Sequence, residues 1–176
     1  MKPVVRNFQG IKPVLGNNVY IDTHSVVIGD VHLEDDVSIW PMAVLRGDVN
    51  SITIGKSSNI QDAAILHVTH DGPYTPGGRP LIVGEGVTIG HKAVLHACTI
   101  DNYCLVGIGT IILDAVHIEH HVMLAAGSLV PPGKILKTGH LYLGNPARAV
   151  RILNDDEMAN LEYSAAHYVR LKNKYL

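Results

Sequence analysis

Among the 11 histidines of this 176-residue chain, a few stand where imidazole nitrogens can be combined into a metal-binding set. His67 directly follows Leu66, His96 directly follows Leu95, and Arg46 follows Leu45 in the same way. The three leucines belong to a six-residue aliphatic repeat, and grouping that repeat in threes puts them on one side of successive turns. Arg46, His67 and His96 then form a column. Two imidazoles one rung apart can turn onto a single ion, whose ligand nitrogens lie at about 2.0–2.1 Å. His91 follows Ile89 by two residues and shares its place in the repeat with Asp62, which follows Ile60. That place lies beyond a different side, so His91 can complete a three-histidine set only by facing the column of a neighbouring chain. The chemistry implied is a metal ion with open positions, held at the contacts of a threefold assembly. His24, His32, His117, His120, His121, His140 and His167 find no such partner in the repeat and read as surface or packing residues.

The repeat is what must position this column. Aliphatic anchors recur every six residues at Leu15, Ile21, Val27, Leu33, Ile39 and Leu45, each followed four positions later by a small or β-branched residue, from Val19 and Ser25 to Ala43 and Val49. The frame slips across residues 48–51 and resumes at Ile54, Ile60 and Leu66. The Gly- and Pro-rich segment 70–80 predicts a projecting loop. Anchors return at Val83, Ile89 and Leu95, skip one residue, and run from Ile100 to Val130. One unit cannot bury its own apolar side, so the units must stack. Three units per triangular turn give about six turns spaced by about 4.8 Å. The fold class is an all-β solenoid over residues 15–150, after an N-terminal extension 1–14. From Asn154 the pattern changes: Asn154 with Glu157 forms a capping box. Met158, Leu161, Ala165 and Tyr168 then recur at helical spacing, which predicts a C-terminal α-helix over 154–174 packed on the solenoid.

Composition agrees. Hydrophobic residues make up 47% and aromatics 5%, so Val, Ile, Leu and Ala must fill thin, regular layers. The 14 basic and 16 acidic residues give a net charge of −2 with no long run of one sign, which argues against nucleic acid or an anionic membrane as partner. No segment approaches the roughly 20 apolar residues of a membrane span, and Met1 to Arg6 lacks the apolar centre of a secretory signal. The expectation is a cytoplasmic protein in which Cys98 and Cys104 are reduced packing residues.

The segments Arg46-Gly47-Asp48, Asn59-Ile60-Gln61-Asp62, Ile65-Leu66-His67 and Gly90-His91-Lys92-Ala93-Val94-Leu95-His96 resemble the gamma-class carbonic anhydrases and their carbonic-anhydrase-like hexapeptide-repeat relatives. The similarity runs along nearly the whole chain, through Gly107-Ile108-Gly109, Gly127-Ser128-Leu129-Val130 and Gly144-Asn145-Pro146-Ala147. This resemblance implies a left-handed parallel β-helix, a homotrimer, and a metal triad of His67, His91 and His96 with His91 donated across the interface. Zinc is the simplest occupant, with Fe2+ or Co2+ as alternatives. Metal-bound hydroxide would attack CO2 to give bicarbonate. Gln61 would orient the hydroxide or CO2 and Asn59 would assist, while Arg46, Asp48 and Asp62 would form ion pairs at the subunit contact. Where the resemblance places two proton-handling glutamates, this chain has Val49 and His70, and His70 can itself shuttle protons near neutral pH. Tyr163 is expected to lean from the helix towards the site. The same residues also admit a metal-dependent hydrolase of acyl thioesters, a metal-free hexapeptide acyltransferase with a histidine base, or a metal-binding trimer without turnover.

Overall fold

The six-residue repeat folds as three faces of short parallel strands, seen in a computed structural model that describes residues 4–176. On the first face Val5, Val27, Leu45, Leu66, Leu95, Ile112 and Val130 stand in register. The second face stacks Leu15, Leu33, Ile54, Val83, Ile100, Ile118 and Leu136. The third stacks Ile21, Ile39, Ile60, Ile89, Val106, Leu124 and Tyr142, and gains an antiparallel strand at Ala147–Ile152. The result is a left-handed parallel β-helix. All eighteen expected anchors lie on these ladders, which are longer than the six turns expected because Val5, Leu136 and Tyr142 add a seventh position to each face. Within the ladders almost every anchor is fully buried, each aliphatic side chain contributing about 1.5–3 kcal/mol. Leu15 is 44% exposed because it stands on the first described rung of its face, with nothing among the described residues stacked beyond it.

Two differences from expectation matter for the site. The N-terminal extension is already part of the solenoid, since Val4–Arg6 pairs in parallel with Val26–Leu33; residues 1–3 lie outside the described residues. The slip at residues 48–51 does not interrupt the strand. Val44–Ile54 runs continuously around the corner from the first face to the second, and a register shift against Val26–Leu33 absorbs the extra residues. Val49, four positions after the Leu45 anchor, is 45% exposed in that irregularity. Gly47 makes the corner possible: a Cβ there would run into the carbonyl oxygen of Asp30. Segment 70–80 projects as expected, held by isolated bridges between Thr69 and Arg79 and between Gly72 and Thr75. Cys98 and Cys104 are free and buried, and burial pushes both thiols up to about 12.

The helix, α1 (Asp155–Lys172), begins at the expected capping box, with Asn154 and Glu157 bonded reciprocally. Its buried stripe is Leu161 and Ala165, continued by the partly buried Tyr168, which meets Trp40 at 5.6 Å between ring centroids. One turn later the same stripe carries Lys172, which is fully buried. Its ammonium donates to the carbonyl oxygen of Asn18 at 2.8 Å and to Asp36 Oδ1 at 3.0 Å, and this bond holds the Asp36 carboxyl below the usual carboxylate range. Among the described residues no helix is long and apolar enough to cross a membrane.

Candidate metal centre

Strand register places Arg46, His67 and His96 in one column, as the repeat implies. The ring nitrogens of the two histidines face each other, His67 Nδ1 standing 3.1 Å from His96 Nε2. Two nitrogens each about 2.05 Å from a tetrahedral ion are about 3.3 Å apart, so this spacing fits a shared ion as well as a shared proton. Each imidazole is held from behind by a carboxylate. His67 Nε2 lies 3.1 Å from Asp48 Oδ1, and His96 Nδ1 lies 2.6 Å from Asp114 Oδ1. The carboxylates are anchored in turn: Arg46 Nη1 donates to Asp48 Oδ2 at 2.6 Å, and the Thr69 hydroxyl donates to Asp114. Burial pushes the Asp48 carboxyl up, but hydrogen bonds from Arg46 and His67 outweigh it and leave the group below its ordinary range; Asp114 is lowered in the same way by Thr69 and His96. Burial also lowers His67, against the opposing pull of Asp48. A depressed imidazole is neutral at pH 7, the form that ligates a metal.

His91 projects from a different vertex, where the chain turns from the third face to the first. Left-handed residues Ala63 and Lys92, both at φ 59°, turn that corner, and the preceding Asp62 and His91 stack one above the other. His91 Nδ1 is 2.9 Å from Asp62 Oδ2, with the two side chains 42% and 48% exposed. A third histidine therefore also has a carboxylate behind it, Asp62, but it does not meet the first two within one chain. Among the described residues no three His, Cys, Asp or Glu side chains form a metal-holding group. The ion-pair cluster expected of Arg46, Asp48 and Asp62 is likewise split within one chain: Arg46 pairs with Asp48, and Asp62 pairs with His91.

Gln61 and Asn59 lie beneath α1. Gln61 Nε2 donates to Asn59 Oδ1 at 3.1 Å, Asn59 Nδ2 donates to Thr88 Oγ1 at 3.0 Å, and Thr88 Oγ1 meets Ser164 Oγ of the helix at 3.1 Å. His70 is exposed at the start of the projecting loop, its ring lying against Gly72. Tyr163 is 60% exposed on α1, stacked on His167 with Arg170 over its ring, and it lines a surface cleft with Ser57, Glu85 and Tyr103 rather than the histidine column. Neither His70 nor Tyr163 touches the histidine pair within the chain. Asp114, Thr88 and Ser164 were not found from sequence. For Thr88 a signal existed, because Ser38, Asn59 and Thr88 each immediately precede an anchor of the third face and so form a polar column of their own.

Comparison with known proteins agrees with this architecture. Residues 12–47 match the family described as bacterial transferase hexapeptide (six repeats). The chain is 53% identical to Protein YrdA of Escherichia coli strain K12 over 176 residues, covering 100% of this chain and 96% of that protein. It is 42% identical over 159 residues to the protein named Gamma carbonic anhydrase 1, mitochondrial, of Arabidopsis thaliana, covering 90% of this chain and 58% of the longer plant protein. A crystal structure of a hexapeptide transferase family protein from Anaplasma phagocytophilum superposes with a TM-score of 0.91 at 40% identity over 100% of both chains. On these grounds the chain belongs to the hexapeptide-repeat family, with the gamma carbonic anhydrases and YrdA among its homologues.

Proposed function

We propose that the chain assembles as a homotrimer in which His67 and His96 of one subunit and His91 of the next hold a divalent metal ion, and that this centre converts CO2 to bicarbonate. The observation that carries the reading is the carboxylate behind each histidine, Asp48, Asp114 and Asp62 at 3.1, 2.6 and 2.9 Å. Such partners fix the ring and its tautomer and leave the opposite nitrogen for a metal. Apolar side chains flank both parts of the site. Met42 and Ile108 stand 66% and 55% exposed near the His91 vertex, and Ile65 stands 47% exposed on the face of the column. These are surfaces that a neighbouring subunit would cover. Zinc is the foremost occupant, with Fe2+ or Co2+ compatible with the same nitrogen donors.

A divalent ion held by His67, His96 and the neighbouring subunit's His91 would supply the Lewis acidity that makes a water nucleophilic near neutral pH. The residues of the chain do the rest. His67 is kept neutral by burial, and Arg46 and Asp48 hold its ring in place. Gln61, fixed by Asn59, presents its side-chain oxygen to accept a hydrogen from the attacking water. His70, next in sequence to the Thr69 that anchors Asp114, carries the proton on to solvent. In the trimer, Asp62 beside His91 meets the Arg46 and Asp48 pair of the adjoining subunit. Tyr163 reaches the centre only from another subunit. Free thiols at Cys98 and Cys104 suit a reducing, cytoplasmic compartment.

The test is elemental analysis of protein purified without air, followed by stopped-flow CO2 hydration on metal-replete protein and on His67→Ala. Hydration lost in the variant supports the reading; no rate above buffer at full metal occupancy removes it. A second reading, acyl transfer, is favoured by the match of residues 12–47 to the transferase hexapeptide family. Turnover of coenzyme A thioesters that survives chelation would select it, whereas thioester cleavage abolished by chelation would point to a metal-dependent hydrolase.

A further inference from the structure

We propose that Thr88 and Ser164 are positioning residues that fix the direction of the Gln61 side-chain amide, so that docking of the C-terminal helix decides which atom of Gln61 faces the candidate centre. This rests on Gln61 belonging to that centre. The four polar side chains Gln61, Asn59, Thr88 and Ser164 are linked by bonds of 3.1, 3.0 and 3.1 Å. Asn59 is fully buried, and Gln61 and Thr88 are each 5% exposed. A chain of amides and hydroxyls this sheltered from water can run in only two directions. In one, Asn59 gives its NH2 to Thr88 and its oxygen to Gln61, leaving Gln61 Oε1 at the free end. In the other, both amides are turned over and the Gln61 NH2 is free.

Thr88 chooses between them, because its hydroxyl carries a single proton. When that proton is committed to Ser164, only lone pairs face Asn59, and Asn59 must present its NH2. Without Ser164 the proton is free to swing to Asn59, and the whole relay can reverse. In the structure the relay ends in Gln61 Oε1, which has no partner among the described residues. No buried side-chain nitrogen or oxygen among them lacks a partner, so this oxygen reaches the surface. It is an acceptor, suited to the hydrogen of a water or hydroxide. The Gln61 backbone bonds to Ile89 O, and the adjoining Asp62 pairs with His91, so Gln61 itself stands one residue from the vertex that bears the third histidine.

The test uses the metal-replete protein with Thr88→Val, Thr88→Ser, Ser164→Ala and Ser164→Thr. Exchange of the 15N-labelled Gln61 side-chain amide with solvent is expected to be slow in the wild type, Thr88→Ser and Ser164→Thr, and as fast as a free amide in Thr88→Val and Ser164→Ala. CO2-hydration kcat is expected to fall by about tenfold in the latter two with KM nearly unchanged. Metal content and the emission of Trp40, the only tryptophan, which packs against Tyr168 and Tyr175 of the C-terminal segment, should stay at wild-type values and so report a docked helix. A Gln61 amide as protected in Thr88→Val and Ser164→Ala as in the wild type overturns the proposal, as does unchanged kcat with a loosened amide. If the metal-replete wild type hydrates no CO2, the hydratase reading fails on its own, and amide exchange still decides whether the relay exists.

Discussion

Co-expression of His67→Ala and His91→Ala chains carrying different tags tests the division of the metal centre between subunits. His67 and His96 share one strand column, whereas His91 projects from another vertex and has no route to them within the chain. In a closed head-to-tail ring of three, each site therefore draws His67 and His96 from one subunit and His91 from the next. Homotrimers of either variant then lack a ligand at every site. Random mixing of equal amounts makes about three-quarters of the trimers mixed, and in a ring of this symmetry every mixed trimer contains one complete site, so about one-quarter of all sites are restored. The assay is metal per chain by elemental analysis of doubly tag-purified trimers, with hydration rate measured on the same sample. Each mixed trimer should hold about one-third of the wild-type metal, against almost none in either parent. Mixed trimers of correct mass that bind no more metal than the parents would refute the shared centre. So would His91→Ala homotrimers with wild-type metal content.

Other substitutions probe the supports of the site and the fold. Asp114→Asn keeps the size of the side chain but removes the charge behind His96; metal affinity measured by competition with a chromophoric chelator should fall about 10- to 100-fold, and unchanged affinity would remove Asp114 from the site. Lys172→Met leaves Asp36 facing a buried methyl-capped chain in place of an ammonium 3.0 Å away. A wholly buried pair would lose about 3–5 kcal/mol, but Asp36 keeps 28% exposure, so urea unfolding at fixed protein concentration should show a loss of about 2 kcal/mol; a change within experimental error would mean the ammonium does not hold the helix end. Glu157 is held at about 2 by its hydrogen bonds with Arg151 and the Asn154 backbone. A carboxylate with a lowered pKa stabilises above its unfolded value of about 4.3 and loses that contribution as pH falls towards about 2. The thermal stability advantage of wild type over Glu157→Gln, followed by helix circular dichroism, should therefore fade across that window; an advantage that persists below pH 2 would contradict it.

The ladder and the histidine column were legible because constant spacing leaves no choice of register: once Leu45, Leu66 and Leu95 stack, Arg46, His67 and His96 must follow. The separation of His91 from that pair was legible for the same reason. Leu136 and Tyr142 keep the six-residue spacing beyond Val130, but Pro131 and Pro132, directly after Val130, break up the pattern and hide it. Val5 lies out of phase with Leu15 and declares its place only by pairing with Val27. Asp114 was missed because spacing says which residues stack and not which side chains lean across a corner, as Asp114 does to reach His96 and Thr69. Lys172 reads as solvent-exposed by residue type, and only the folded chain reveals the carbonyl and carboxylate waiting for it.

A solenoid is ordinarily a one-dimensional stack whose stability is a sum of neighbouring contacts, so its ends fray first. Here the stack is bolted end to end. The 18-residue helix is about 27 Å long, and the six steps between seven rungs rise about 29 Å. α1 leaves the last rung and ends with Lys172 bonded to Asn18 and Asp36 and Tyr175 packed on Tyr20, at the other end of the ladder. The first turn therefore cannot peel away without also releasing the last element of the chain. The two ends of the molecule should exchange their amide hydrogens as one cooperative unit rather than as two fraying edges.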